Sequence, residues 1–164
     1  MLKINLHAAI AAALSLACAA PGQAQVLARK DLSSAMAVTI ATTAAATCKA
    51  QGFKVSVHVV GRLGEILVAI KGDDAPPHTM ENSFRKAYTA RTTRAPSGEM
   101  AKRIVTNPTM GQVHLTNIIA SQGALPITIG DDVIGAVGVS GAPGGDKDEA
   151  CAKTGIDTVA ADLK

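Results

Sequence analysis

Residues 53–60 alternate: Phe53, Val55, Val57 and Val59 are apolar, while Lys54, Ser56 and His58 are polar. A period of two places the first set on one face of an extended strand, and β-branched residues favour that conformation. Gly61-Arg62-Leu63-Gly64 is a turn, and Glu65–Ile70 supplies a second strand, so the short connection predicts an antiparallel hairpin. The device recurs: Ala124–Ile129 and Val133–Val139 flank a turn at Gly130-Asp131-Asp132. Two hairpins restrict the chain to folds with an antiparallel sheet that has at least one apolar face to cover.

Helical segments supply the cover. Residues 28–51 carry Leu32, Met36 and Ile40 at every fourth position, with Thr43 and Thr47 continuing the stripe. Asp31 or Ser33 is placed to cap this helix, and Gly52 follows its end. Residues 79–91 put Met80, Phe84, Ala87 and Tyr88 on one face, and a short helix over Gly98–Val105 lies between Pro96 and Pro108. Residues 110–120 have weak helical or extended character. Ser140–Gly145 is a Gly/Pro loop, and 146–161 closes the chain as a helix. The expected fold is α+β, one domain with a central antiparallel sheet of hairpins flanked by helices in the order α-ββ-α-(α)-ββ-α.

Composition decides how those layers meet. Of 164 residues, 48% are hydrophobic but only 2% aromatic. The apolar content is therefore mostly small side chains, which predicts tight helix-on-sheet packing and little interior room for a ligand. So few aromatics do not make the stacking platform of a single-stranded nucleic-acid binder. A net charge of +3, with Lys and Arg scattered, gives no basic footprint for DNA or RNA.

The first 24 residues have a different character. Lys3 precedes an apolar run over 8–20, too short to span a bilayer at about 20 residues, and small residues stand at Gly22 and Ala24. This is the pattern of a secretory signal peptide cut after Ala24, with the mature domain over 25–164 and no membrane span after cleavage. An anchor helix and a lipid-attachment site at Cys18 are the competing readings. A periplasmic or secreted location follows from the first. Cys48 and Cys151 then remain in an oxidising compartment, where an even count favours one disulfide over two buried thiols.

Chemistry-bearing residues are sparse. His78 follows the rigid Pro76-Pro77 pair at the start of a helix, the kind of scaffolded loop position where binding groups concentrate; Thr79 as a helix cap is the plain alternative. His58 shares the polar strand face with Ser56, which reads as exposed or at an interface, and His114 lies in the least patterned stretch. Asp146, Asp148 and Glu149 open the last helix, where acids complement its dipole and also stand beside a Gly-rich loop. Lys86 and Tyr88, two apart, face different directions, so only one lines a given pocket. Ser140 lacks the Gly-x-Ser-x-Gly elbow. Gly135-Ala136-Val137-Gly138 lies within a strand, where small residues permit close approach of a helix.

Several strings resemble one family in order along the chain. Phe53–Val60 with Gly64, Asp73-Asp74-Ala75 and Lys86-Ala87-Tyr88-Thr89-Ala90 are similar to the first half of the GlcG/HbpS-like haem-binding domain. That family is also described as haem-degrading and includes the C-terminal domain of PduO-type proteins. Leu125-Pro126-Ile127, Val133–Gly141 and Asp146-Lys147-Asp148-Glu149 are similar to its second half. The resemblance covers nearly all of 30–160, and Pro77-His78-Thr79 with the cysteine pair looks like its exported branch. Gly61 departs from a common Asp, and Lys71-Gly72-Asp73-Asp74 from Arg-x-Asp-Gly.

The resemblance implies a homo-oligomer, dimeric or larger, and haem or a similar planar ligand as cofactor. Haem needs an apolar slot, an axial donor and cations for its propionates. His78 is the candidate iron ligand; Lys86, Arg85 and Arg91 are candidate cations, and Asp74, Glu149 and His114 complete the candidate set. Three functions remain open: an exported haem carrier, scavenger or sensor accessory; an enzyme or accessory acting on a small organic acid, with Asp74, Lys86 and Glu149 around a pocket; and a ligand-free oligomeric module. No catalytic residue is assigned.

Overall fold

The computed structural model describes residues 25–164. The signal-peptide reading of 1–24 lies outside the described residues. Helix α1 spans Ser34–Ala50, strand β1 Ser56–Val60 and β2 Ile66–Lys71; helix α2 spans His78–Thr93 and α3 Gly98–Thr106. A 3₁₀ turn at Gly111–His114 leads to β3 (Ala124–Ile129) and β4 (Asp132–Ser140), and α4 covers Gly145–Thr158. The predicted α+β order is the observed one.

Both hairpins form, and they join through their inner strands. The sheet order is β2-β1-β4-β3, and every neighbouring pair is antiparallel. Helices α1 and α4 cover one face, where Ile40, Val57, Val59, Val137, Val139 and Ala152 form the main core. Helix α2 covers the other face over a smaller cluster of Val60, Ala87, Ala90, Ala124 and Ala136. Cys48 and Cys151 are bonded inside the first layer, with Cα atoms 5.7 Å apart, and tie the end of α1 to α4.

The small residues of β4 do what their size suggests. A Cβ at Gly138 would stand 2.3 Å from the Ser83 carbonyl oxygen and 2.7 Å from the Ala87 nitrogen, so only glycine lets α2 lie this close to the sheet.

Three expectations need correction. The first helix begins at Ser34 rather than 28. Ser33 caps it by accepting from the Met36 N–H, while the Arg62 guanidinium takes Asp31 and the Lys30 carbonyl. The last helix ends at Thr158 and passes into a 3₁₀ turn over Ala160–Asp162. His58 is not exposed: β1 is buried on both faces, because α2 packs over its polar side. The alternation was real, but its polar face meets protein instead of water.

Candidate functional site

That polar face is fully bonded to α2. Ser56 Oγ and Thr79 Oγ1 lie 2.8 Å apart, and the Thr79 hydroxyl also lies 2.7 Å from the Pro76 carbonyl as its donor. His58 Nδ1 is 2.8 Å from Ser83 Oγ, which donates to the Met80 carbonyl, and the Phe84 ring meets the imidazole edge-on. Burial pushes the His58 pKa below its ordinary value, because it disfavours the charged ring. These contacts fix the first turns of α2, and with them the loop that carries His78.

Helix α2 starts at His78, with Pro77 in the N-cap position and no side-chain cap. Thr79 is therefore not the cap; its hydroxyl anchors the loop from below. His78 itself is exposed. It stands over a cavity of about 310 Å³ lined by Lys86, Asp148, Ser121, Gln122, Ser140 and the glycines of the β4–α4 loop.

The floor of this cavity is an ion pair. Lys86 Nζ donates to Asp148 Oδ2 at 2.7 Å and to the Val139 carbonyl at 3.2 Å, with both side chains at least 95% buried. Asp148 Oδ1 accepts from the Ala142 N–H at 3.0 Å. Burial raises the Asp148 carboxyl above its ordinary pKa, and the hydrogen bond from Lys86 pulls in the opposite direction. Tyr88, two residues on, turns away to pack on Gly64 and Phe84, so Lys86 is the one that lines the cavity.

The other candidate residues are dispersed. Asp74 is exposed, pairs with Lys54 at 3.2 Å and belongs to a separate groove. Arg85 donates to Glu81 and to the Ile118 carbonyl, and its Nε is buried without a partner. Glu149 is half-buried next to Asp148 but outside the cavity lining, and its Oε2 is also unpartnered. His114 is exposed in the 3₁₀ turn and does not line the cavity. Among the described residues no three His, Cys, Asp or Glu side chains converge to hold a metal ion. Within the cavity, only His78 has an unengaged donor atom that suits haem iron.

Asp148 stood among the acids beside the Gly-rich loop, but the sequence reading did not carry it into the candidate set. The helix dipole accounted for it, and nothing local marks its partner 62 positions away. Ser121 and Gln122 were missed for the same reason, and Ser140 was set aside for want of a nucleophile elbow; they enter the cavity from two separate segments.

Comparison with known proteins gives a consistent result. The family described as haem degrading protein HbpS-like matches residues 32–157. A crystal structure of a double mutant of Streptomyces reticuli HbpS is 34% identical, with a TM-score of 0.78, covering 87% of this chain and 98% of that one. A 15.0 kDa uncharacterised protein from the dhaT-dhaS intergenic region of Citrobacter freundii is 34% identical over 102 residues, 60% of this chain and 71% of that protein. A crystal structure of a PduOC–haem complex shares the fold at 22% identity and a TM-score of 0.72, covering 78% of this chain and 94% of the other.

Proposed function

Because the chain belongs to the haem-degrading HbpS-like family, we propose that it is an exported haem-binding protein, a carrier, scavenger or sensor accessory, with its ligand at the His78 loop. The observation that carries this reading is the exposed imidazole on a rigid loop at the mouth of the cavity. At about 310 Å³ the cavity lies at the lower limit of small-molecule sites and admits an edge of a porphyrin, not the whole ring. The rest of the ligand needs a second wall, which a homo-oligomer of two or more subunits supplies.

The axial donor fits such a group. His78 offers the axial nitrogen; Lys86 is already committed to Asp148, and Arg85 is bonded to Glu81 and the Ile118 carbonyl outside the cavity lining, so a cation for the propionates would come from another subunit. When bound, haem would bring its own redox and ligand-binding chemistry. The chain's part is to present His78, to keep the Lys86–Asp148 floor rigid and to exclude water along the buried side.

A hemin titration of residues 25–164 tests the proposal, read as a Soret band together with molar mass by light scattering. Saturable binding that is lost or spectrally shifted in His78→Ala supports it. Absence of saturable hemin binding overturns it.

One observation favours a second reading. The cavity is polar and small, with an ion pair in its floor, which suits a small organic acid better than an apolar ring. In that case an enzyme or accessory role would rest on Lys86, without Asp74 or Glu149, which lie outside the lining. Protection of the His78 and Ser140 amides by a small dicarboxylate, with no response to hemin, would select it. A stable multimer with neither response would leave the ligand-free oligomeric module.

A further inference from the structure

On the other side of the 71–77 loop lies a second and larger hollow, about 540 Å³, between α1 and the end of β2. Its floor is apolar, built from Ala45, Phe53, Val55 and Ile70. Its rim is charged. Lys49 pairs with Asp73 and Lys54 with Asp74, each at 3.2 Å, and all four side chains are more than 60% exposed. Lys71, also on the rim, makes no ion pair among the described residues. Lys147 holds its ammonium 5.6 Å from the centre of the Phe53 ring and is likewise unpaired there.

The two aspartates are thus each matched, and Lys71 on the rim is left over. Exposed pairs such as these contribute about 0–1 kcal/mol, so they also exchange partners readily. An apolar floor of this size with convergent polar groups at its edge is the general form of a small-molecule site. A neutral hydrophobe would leave Lys71 without a counterion, and a cation would meet three lysines against two aspartates. We propose that this groove binds an amphipathic monocarboxylate, its apolar body on Phe53, Val55 and Ile70 and its carboxylate at Lys71 on the rim. The groove is lined by none of the residues around His78, so the proposal is independent of haem binding.

The test is calorimetric titration of the full 25–164 chain with decanoate below its micelle concentration, against 1-decanol and decyltrimethylammonium. Decanoate is expected to saturate at one per chain, with decanol about fivefold weaker and the cation inert, as an exposed ion pair would give. Lys71→Glu should weaken decanoate about fivefold and leave decanol unchanged. Ala46→Phe, at an exposed groove position, should block both, and circular dichroism with hemin absorbance on the same samples reports an intact fold. Equal affinity for decanoate and decanol, or no response to Lys71→Glu, overturns the proposal. So does a change in molar mass with Lys71→Glu and no decanoate binding, which would give the groove to a second copy of the chain.

Discussion

Lys86 and Asp148, 62 positions apart, meet at 2.7 Å beneath the His78 loop, where a side chain of helix α2 reaches the start of α4. Both side chains are at least 95% buried, so each charge depends on the other. Removing one partner of a buried pair typically destabilises by about 3–5 kcal/mol, because the survivor is left unpaired. Lys86→Met should therefore lower the denaturant midpoint sharply. Lys86→Met with Asp148→Leu should recover most of the loss, since replacing both charges with apolar groups is often neutral. A double variant as unstable as the single one would mean that the Val139 and Ala142 bonds, not the charge pair, hold this corner together.

His58 gives a pH signature one turn back along the buried side of α2, where it meets Ser83. Its folded pKa lies below the ordinary 6.5 because burial disfavours the charged ring. As pH falls through 6.5 the unfolded chain takes up a proton that the folded chain does not, so stability declines with acidification in that window. Above 6.5 the contribution is constant. Urea midpoints measured from pH 7.5 downward should fall more steeply for the natural chain than for His58→Gln. Parallel slopes would show that the imidazole titrates as freely folded as unfolded.

The hairpins, the helices and the disulfide were legible because each rests on local pattern or on cysteine count. Val57 and Val59 face the core as their alternation requires. What the pattern did not disclose was a third layer. Ser56 and His58 look solvent-facing in a strand, and they are buried only because Thr79 and Ser83 arrive from α2 with matching hydroxyls. The candidate site shows the same division. His78 was found from its Pro-Pro loop; Asp148 was not, because its pairing with Lys86 is a product of tertiary approach. Asp74 entered the candidate set with the Asp73-Asp74-Ala75 string, yet the loop turns it, at φ 56°, to the opposite groove.

The Cys48–Cys151 bond closes a span of 103 positions between two buried sites. Constraining so long a loop in the unfolded chain is worth about 4–5 kcal/mol by chain entropy, an upper figure. A Cys48→Ala, Cys151→Ala chain should thus unfold at markedly lower denaturant than the oxidised protein, and the reduced natural chain should behave alike. Since both sulfurs are shielded, reduction in native buffer should be slow and should accelerate with urea. Equal midpoints for oxidised and cysteine-free chains would mean that the α1–α4 packing alone holds this layer.

The approach of α2 to β4 sets the last test. Gly138→Ala puts a methyl 2.3 Å from the Ser83 carbonyl oxygen, a backbone atom that cannot swing aside. Helix α2 must then lift from the sheet, straining the His58–Ser83 and Ser56–Thr79 bonds and shifting the His78 loop with them. Overpacking of this kind typically costs about 1–3 kcal/mol. Gly111→Ala, where no atom lies within 4 Å, should change stability by about 0.5 kcal/mol or less and serves as the control. Thermal melts compare the two, and hemin titration of Gly138→Ala reads the loop. A melt unchanged from the natural chain would show that α2 is free to slide on β4, and that the sheet does not fix the position of His78.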